Sequence, residues 1–307
     1  MFKLPHTPSP RADIHELADY MELECWAAGS VSTREILAEL GRVDDNANNI
    51  GCDDDADDTA DVLDDVMLEI ERRQSACGSG YPFSLDRTGT VLRFDETDTG
   101  HRSVMYRYLL LSTRLNMKDQ RVHSGIDGSL LLEEVAAHVL KNYLGANRAR
   151  AFVFGTCAPG DFPGKITALC GELREGTEFR TLDTAAVQAN DDKLDAVAWI
   201  PFSDRLPGQL IIFGQCKTGS NWGGLTTQLQ PDTFVRKWIK DPLSVTPVRA
   251  FCISEAADRS RWINTVMDAG LLFDRCRLVD FCDDIEAGLL ARLSRWTSAA
   301  KQVAVTR

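Results

Sequence analysis

The sequence predicts an α/β protein, in which a mixed central sheet flanked by helices follows a small helical domain. Two patterns predict this class. Residues 11–74 repeat apolar side chains at helical spacing, whereas from residue 127 onward helical segments alternate with short apolar strands. The charge divides in a similar place: residues 1–110 hold 10 Lys/Arg and 23 Asp/Glu, and residues 111–307 hold 24 and 23. We therefore expect two domains with these bounds, the first acidic and the second nearly neutral.

Helices and one hairpin are predicted in the acidic part. Three helices cover residues 12–28, 32–40 and 59–73, where apolar side chains recur every three or four residues. The hairpin turns at Arg87–Gly89, between two short apolar strands. A further helix at residues 103–115 connects the two domains.

The second part alternates between helices and strands. A strong amphipathic helix opens it and ends at Gly145, and two of the strands are separated by a loop that contains Pro201, Pro207 and Gly208. Helices are predicted over residues 128–145, 164–176, 230–240, 258–270 and 285–296. Strands are predicted over residues 149–155, 194–200, 209–216, 249–255 and 271–281.

The cysteine pattern and the hydropathy limit the classes of protein. Nine cysteines are scattered singly, without a CxxC pair, which indicates reduced, buried thiols rather than a zinc site or a disulfide framework. No apolar run approaches the roughly 18 residues of a membrane-spanning helix, and the start of the chain lacks the apolar core of a signal peptide. We therefore expect a cytoplasmic protein with no membrane partner.

Three polar residues lie on the two strands at 194–200 and 209–216. Side chains alternate along a strand, so Gln215 and Lys217 point to one face and Cys216 to the other. An antiparallel hairpin that turns near residue 205 or 206 brings Asp195 beside both Gln215 and Lys217. The spacing thus predicts a carboxylate, an amide and an ammonium in one place.

This combination is suited to phosphodiester hydrolysis. Asp195, the side-chain oxygen of Gln215 and the backbone carbonyl of Cys216 are hard oxygen ligands for Mg²⁺ or Mn²⁺. Lys217 is placed to orient the attacking water or to stabilise negative charge in the transition state. Because Gln215 contributes no charge, the site needs a further carboxylate, for which the candidates are Glu133 and Glu134, with Asp191 or Asp192 in reserve.

Asp195, 19 intervening residues and Gln215-Cys216-Lys217 resemble the PD-(D/E)xK fold of restriction endonucleases, in the Asp…Gln-x-Lys branch that includes Mrr-type enzymes. The stretch LLLEEVAAHVL resembles the first helix of that family and favours Glu133 over Glu134. DDKLDAVAW resembles the strand that carries the acidic metal ligand. The likeness covers roughly residues 127–280 and implies a restriction endonuclease-like core. The chain departs from the family in its glutamine at position 215 and in lacking a Pro-Asp pair.

The resemblance implies a Mg²⁺-dependent endonuclease that cuts DNA, with RNA left open as a substrate, in prokaryotic defence against phage. Candidate contacts to nucleic acid are Arg148, Arg150, Asn221, Trp222, Arg236, Lys237 and Lys240. The alternative is a nuclease-fold subunit without activity that binds nucleic acid or a protein, which the uncharged Gln215 favours.

The acidic segment points to a second partner. With a net charge of −13, residues 1–110 are expected to dock a protein partner or activator, or to cover the cleft as a mimic of DNA. A homo-oligomer is also left open.

Overall fold

The computed structural model describes residues 1–45, 54–181 and 192–304, and their side chains except those of 42–45 and 54–61. In these ranges the helices are α1 to α10, over Ile14–Ala28, Thr33–Asp45, Asp54–Cys77, His101–Arg114, Gly128–Gly145, Phe162–Leu173, Pro231–Trp238, Trp262–Ala269, Arg275–Asp280 and Ala287–Ala304. The strands are β1 to β10, over Ser30–Ser32, Phe83–Leu85, Val91–Phe94, Val122–His123, Ile126–Asp127, Arg150–Val153, Ala196–Ile200, Leu210–Lys217, Val248–Ile253 and Leu271–Phe273.

The central sheet has five strands in the order β10-β9-β8-β7-β6. The neighbours among β6, β7 and β8 are antiparallel, whereas β8, β9 and β10 run parallel. Each parallel connection passes through a helix, α7 between β8 and β9 and α8 between β9 and β10, as a parallel crossover requires. The predicted mixed sheet with flanking helices is therefore confirmed.

Both faces of the sheet are buried, because strand side chains alternate and each set meets a different group of helices. Ala196 and Ile212 pack on the face that α5 covers. Val197 and Phe213 pack on the opposite face, in a cluster with apolar residues of α6 and α7. This double burial explains why the strands at 194–200 and 209–216 are almost continuously apolar.

The first part of the chain packs directly on the second. The predicted hairpin forms as β2 and β3, and β1 adds a third strand that the sequence analysis did not predict. The expected boundary at residue 110 falls within α4, a buried helix that contacts α9 and α10. One apolar cluster runs from Phe2 to Ala300. The division into two domains stays a prediction, and the described residues of both parts share a core.

The strand predicted over residues 271–281 is wrong beyond Phe273. The chain turns into α9 instead, because the Asp274 side chain caps the helix by accepting a hydrogen bond from the backbone N–H of Arg277 at 3.1 Å. Arg275 then points into the protein interior and is fully buried. A capping aspartate followed by an apolar turn is the local signal for this helix.

A buried ionic network joins the two parts. Oδ1 of Asp19 in α1 accepts hydrogen bonds at 2.7 Å from Arg73 of α3 and from Arg275 of α9, and Oδ2 accepts one at 2.7 Å from Arg114 of α4. The side chains of all four are at most 1% exposed. Glu16 and Glu22, also on α1, pair with the same arginines and balance their charge.

The network keeps the Asp19 carboxylate ionised. Burial raises the pKa of Asp19, but the positive charges of Arg275, Arg114 and Arg73 outweigh burial and hold that pKa well below its ordinary value. Part of the acidity of residues 1–110 is therefore internal and already neutralised. The acidic run 53–58 lies outside the described side chains, so its expected partner stays a prediction.

The cysteines agree with the predicted reduced state. The eight described cysteines are free thiols, and all but Cys157 are buried. Cys52 lies outside the described residues. Within the three described ranges no helix is both long and apolar enough to cross a bilayer.

We expect Asp19→Asn to lower the free energy of unfolding by about 3–5 kcal/mol, because it leaves buried arginines without their shared carboxylate. Urea unfolding measures the change. The control is Asp65→Asn, which alters an exposed residue of α3 and should change stability by less than about 0.5 kcal/mol. Equal effects of the two substitutions would contradict a stabilising role for the network.

Glu69 makes stability depend on pH. Burial opposes its ionisation, but the hydrogen bond from Arg72 and the charge of Arg73 lower its pKa from 4.5 to about 2. The unfolded chain therefore takes up a proton near pH 4.5 that the folded chain accepts only near pH 2, so unfolding free energy falls as pH drops through this window. Glu69→Gln should reduce the slope of the unfolding free energy against pH by up to about 1.4 kcal/mol per pH unit. The unfolding free energy is measured by denaturation at several pH values between 2 and 4.5. If its dependence on pH is the same in Glu69→Gln as in the wild type, the assignment is refuted. Asp65→Asn again serves as control.

Candidate active site

The register of β7 and β8 brings the central polar residues together. Ala196 pairs with Gly214 across the antiparallel ladder, and the next pair in this register is Asp195 with Gln215. Ala196 and Gly214 are the last residues paired in the ladder, and just beyond them the Asp195 N–H donates to the Gly214 carbonyl at 2.9 Å, which keeps Asp195 beside the end of β8. This register is the one that the spacing along the sequence predicts. Lys217 is the diagonal neighbour of Asp195 on the same face.

Asp195 is held by its own backbone and by its carboxylate. Its carbonyl accepts hydrogen bonds from the N–H groups of Phe154 and Gly155, both at 2.9 Å. Its Oδ2 accepts one from the Cys216 N–H at 2.6 Å, and the residue is only 7% exposed. The carboxylate is thereby fixed beside the peptide group that links Gln215 to Cys216.

Gln215 presents a buried oxygen without a partner. The residue is fully buried, and its amide nitrogen donates to Oε1 of Gln228 at 3.2 Å. Its own Oε1 accepts no hydrogen bond from any described residue. A buried acceptor left unpaired costs roughly 1–3 kcal/mol, so this oxygen is suited to a cation or a proton donor. Gln228 contacts the site through this bond.

Glu133 reaches the same place from α5. Its Oε2 accepts a hydrogen bond from the Cys157 N–H at 2.9 Å. A side chain at Gly155 would place its Cβ 2.4 Å from that Oε2, so only glycine leaves room for the carboxylate. Since the Gly155 N–H donates to the Asp195 carbonyl, Gly155 contacts both acidic residues.

The negative charges of Asp195 and Glu133 both affect the pKa of the Cys216 thiol. Burial raises its pKa most, followed by its hydrogen bond with Cys252 and then by the negative charges of Asp195 and Glu133. Asp195 bonds to the Cys216 N–H, and Gly155, whose N–H bonds to the Asp195 carbonyl, lies next to the Glu133 carboxylate. The thiol itself stays protonated and is not a nucleophile at neutral pH.

The other acidic candidates have different roles. Glu134 forms an ion pair with Arg292 of α10 at 2.6 Å. Asp192 accepts hydrogen bonds from Lys237 and from the indole of Trp238. Asp191 lies outside the described residues. Among the described candidates, Glu133 is thus the residue that reaches the neighbourhood of Asp195.

Lys217 ends β8 with an unsatisfied ammonium. The residue is half-buried, and no described residue forms an ion pair or a hydrogen bond with its Nζ. Its backbone carbonyl accepts a hydrogen bond from Ser254, which fixes the strand end next to β9. A half-desolvated ammonium on the face that holds Asp195 is available to an incoming anion.

Lys165 is a second lysine near the site that the sequence analysis missed. It lies on α6, is only 6% exposed, and donates from Nζ to the Gly155 carbonyl at 2.7 Å. Its charge also lowers the pKa of Cys157, although burial and Glu133 raise it more. The available signal was a charged residue at a core position of an amphipathic helix, next to buried Ile166.

The predicted nucleic-acid contacts separate into different regions. Arg148 and Arg150 lie at the start of β6, where Arg150 pairs with Trp199, four residues and roughly 13 Å along β7 from Asp195. Both lie at the opposite end of the sheet from the carboxylates. They therefore cannot contact the same phosphate as Lys217.

The basic residues of the α7 region are paired with acids. Arg236 bonds to Asp232, Lys237 to Asp192 and Lys240 to Glu178, each at 3.1 Å or less and each with its basic side chain about half or more exposed. Such surface pairs are weak and can be exchanged for phosphate contacts.

Asn221 and Trp222 lie beyond the end of β8. The Trp222 indole donates to Glu255 at 2.6 Å and packs on Phe251, which anchors the glycine-containing loop. Asn221 is exposed in a cavity of about 600 Å³ on this side of the molecule.

The metal ligand set is smaller than in a fully acidic centre. Among the described side chains no group of three or more His, Cys, Asp or Glu residues is arranged to hold a metal ion. The oxygens available are the carboxylates of Asp195 and Glu133, the unpartnered Oε1 of Gln215 and the Cys216 carbonyl. Oxygen ligands of this kind fit Mg²⁺ or Mn²⁺, and the orphaned amide oxygen is the feature that an ion would satisfy.

We expect Gly155→Ala to displace the Glu133 carboxylate, because the new methyl group would occupy its position. The free energy of unfolding should fall, and it should fall less when Glu133 is already alanine. A double-mutant cycle in urea should therefore give a coupling energy of about 0.5–3 kcal/mol. Additive effects of the two substitutions would show that Gly155 does not make room for Glu133.

Comparison with protein-family models, curated proteins and solved structures finds no significant match to this chain. The resemblance to restriction endonucleases therefore rests on the pattern of Asp195, Gln215 and Lys217 and on the segment around Glu133. Function has to be argued from the chemistry of these side chains.

Proposed function

We propose that the protein is a Mg²⁺-dependent nuclease with a restriction endonuclease-like core, which hydrolyses phosphodiester bonds of DNA. The observation that carries this proposal is the fully buried, unpartnered Oε1 of Gln215, next to the fixed carboxylate of Asp195. A buried amide and a buried acid on adjacent strands destabilise an apolar core, but they are suitable ligands at a cation site.

Asp195, Gln215 and the Cys216 carbonyl would hold the ion, with Glu133 as the second carboxylate. When bound, a divalent ion neutralises charge on the attacked phosphate and lowers the pKa of water. Asp195 is preorganised for this role because the Cys216 N–H and the strand ladder fix its orientation. The Gln215 amide nitrogen donates to Gln228, and its oxygen is the atom left for the ion.

Lys217 would bind and stabilise the phosphate. Its ammonium has no described partner, so it is free to pair with a phosphate oxygen and to stabilise the added charge of the transition state. Lys165 has another role, because its ammonium is buried and bonded to the Gly155 carbonyl. It holds the Gly155 carbonyl in the loop whose Cys157 N–H bonds to Glu133.

The proposal also covers the substrate, the setting and the location. We propose that the substrate is DNA, that the enzyme acts in prokaryotic defence against phage, and that it is located in the cytoplasm. The first two follow from the resemblance to restriction endonucleases, and the third is supported by free, mostly buried thiols. We further propose that exposed acids of residues 1–110 bind an activator or cover the cleft, and that RNA is the competing substrate to test.

A second candidate is a nuclease-fold subunit that binds nucleic acid or a protein without cutting. Two observations favour it. An uncharged glutamine occupies a position that is acidic in many such enzymes. Among the described residues, no group of three or more His, Cys, Asp or Glu side chains could hold a metal ion. Both lower the affinity for a divalent ion.

Cleavage assays separate the two candidates. The protein is incubated with supercoiled plasmid, single-stranded DNA or RNA, with Mg²⁺, Mn²⁺ or EDTA. We expect metal-dependent cleavage of DNA, reduced about 10²- to 10³-fold by Lys217→Ala and by Asp195→Asn. Asp195→Asn keeps an oxygen for the Cys216 N–H and so preserves the fold. The control is Lys118→Ala, an exposed lysine outside the site. Cleavage that survives both site substitutions would refute the assignment, and metal binding without cleavage would favour the second candidate.

Gln215→Glu tests the ion ligands without relying on activity. The added carboxylate should raise affinity for Mn²⁺ at least about 10-fold in isothermal titration, because ligand charge controls the binding of hard cations. Gln230→Glu is the matched control, since Gln230 is exposed and bonds to the Thr227 carbonyl instead. The same gain in both variants, or none in Gln215→Glu, would remove Gln215 from the ligand set.

A further inference from the structure

Four arginines converge on one cavity at the far end of the sheet. Arg148, Arg150, Arg174 and Arg205 line a cavity of about 420 Å³, and Glu172 is the acidic residue among its lining residues. All four arginines are exposed, and none has an ion pair with a described residue. Arg236, by contrast, is exposed and paired with Asp232.

The four side chains come from separate elements. Arg148 and Arg150 flank the start of β6, Arg174 follows the C-terminus of α6, and Arg205 lies in the turn between β7 and β8. Arg174 and Arg205 adopt φ values of 58° and 63°, a left-handed conformation that glycine or asparagine adopts at less cost. Glycine or asparagine would fit both of these turns better. Each turn nevertheless carries an arginine, and both arginines line the same cavity.

The cavity is strongly positive in a protein of net charge −12. Four guanidinium groups and one carboxylate leave a local charge of +3. Like charges gathered in one concave surface repel each other unless an anion neutralises them. Guanidinium groups bind phosphate through two parallel hydrogen bonds, which makes phosphate the anion that this arrangement fits best.

The rim adds an aromatic surface. Phe202 lies beside the arginines and is 53% exposed. An exposed ring next to guanidinium groups is suited to stacking on a nucleobase. The volume of about 420 Å³ lies within the range of small-ligand sites and accommodates a nucleotide.

We propose that this cavity binds the phosphate groups of a nucleotide, either free or within a single strand of nucleic acid. The inference goes beyond the proposed nuclease activity, because the cavity lies at the other end of β6 and β7 and its occupancy requires neither metal nor cleavage. A free nucleotide would make it an effector site, and a strand would make it a tethering site for a long substrate.

Binding is measured in EDTA, so that a failed nuclease assignment does not affect the result. The probes are a fluorescently labelled ATP and a fluorescein-labelled thymidine twelve-mer, each titrated by fluorescence anisotropy, with unlabelled ATP as a competitor of the labelled strand. We expect one or both probes to bind, and Arg174→Gln with Arg205→Gln to weaken binding at least about 10-fold. For the twelve-mer, the slope of log affinity against log salt should fall by about 1.4.

The matched control is Arg34→Gln with Arg295→Gln, which removes two exposed and unpaired charges elsewhere. Thermal unfolding verifies that each variant folds, and Arg148→Gln with Arg150→Gln replaces the first pair if it does not. Binding of ATP alone identifies an effector site, and binding of the twelve-mer without competition by ATP identifies a strand site. No binding of either probe by the wild-type protein, or equal weakening in the control, would overturn the proposal.

Discussion

The register between β7 and β8 is the constraint on which the candidate site depends. Ala196 opposite Gly214 brings Asp195 to Gln215, and side-chain alternation adds Lys217 to the same face. A slip of one residue would turn Gln215 and Lys217 to the face of α5 and leave Asp195 without them. The register is held by apolar packing on both faces of the strands and by the Asp195 carboxylate, which accepts the Cys216 N–H. The interaction that fixes the ladder thus also orients the acid.

Much of the candidate site could be predicted from the sequence, because the positions of its residues depend on local spacing. Strand alternation and the turn at Pro201–Gly208 were sufficient to bring Asp195 next to Gln215, whereas the choice of Glu133 over Glu134 came from the resemblance to the first helix of restriction endonucleases. Contacts between distant segments could not be read in this way. Lys165 and the room that Gly155 leaves became visible only when separate elements were brought together. The four arginines are separated by up to 57 positions, and their convergence depends on tertiary structure in the same way.

The ionic network changes how the acidic segment must be studied. Asp19, Glu16 and Glu22 are buried against arginines from three helices, so part of residues 1–110 belongs to the core. Deleting this segment would remove α1, α3 and most of α4 and would destabilise the sheet that carries the site. An inhibitory or docking role has to be tested by neutralising exposed acids one by one, with stability measured in parallel.

The central claim is a divalent-ion site formed by Asp195 and Gln215, and anomalous diffraction from crystals soaked in Mn²⁺ tests it most directly. We expect a peak about 2.1 Å from Oε1 of Gln215 and from a carboxylate oxygen of Asp195. The peak should weaken or vanish in crystals of Asp195→Asn. A structure at saturating Mn²⁺ without density between these two side chains would contradict the account.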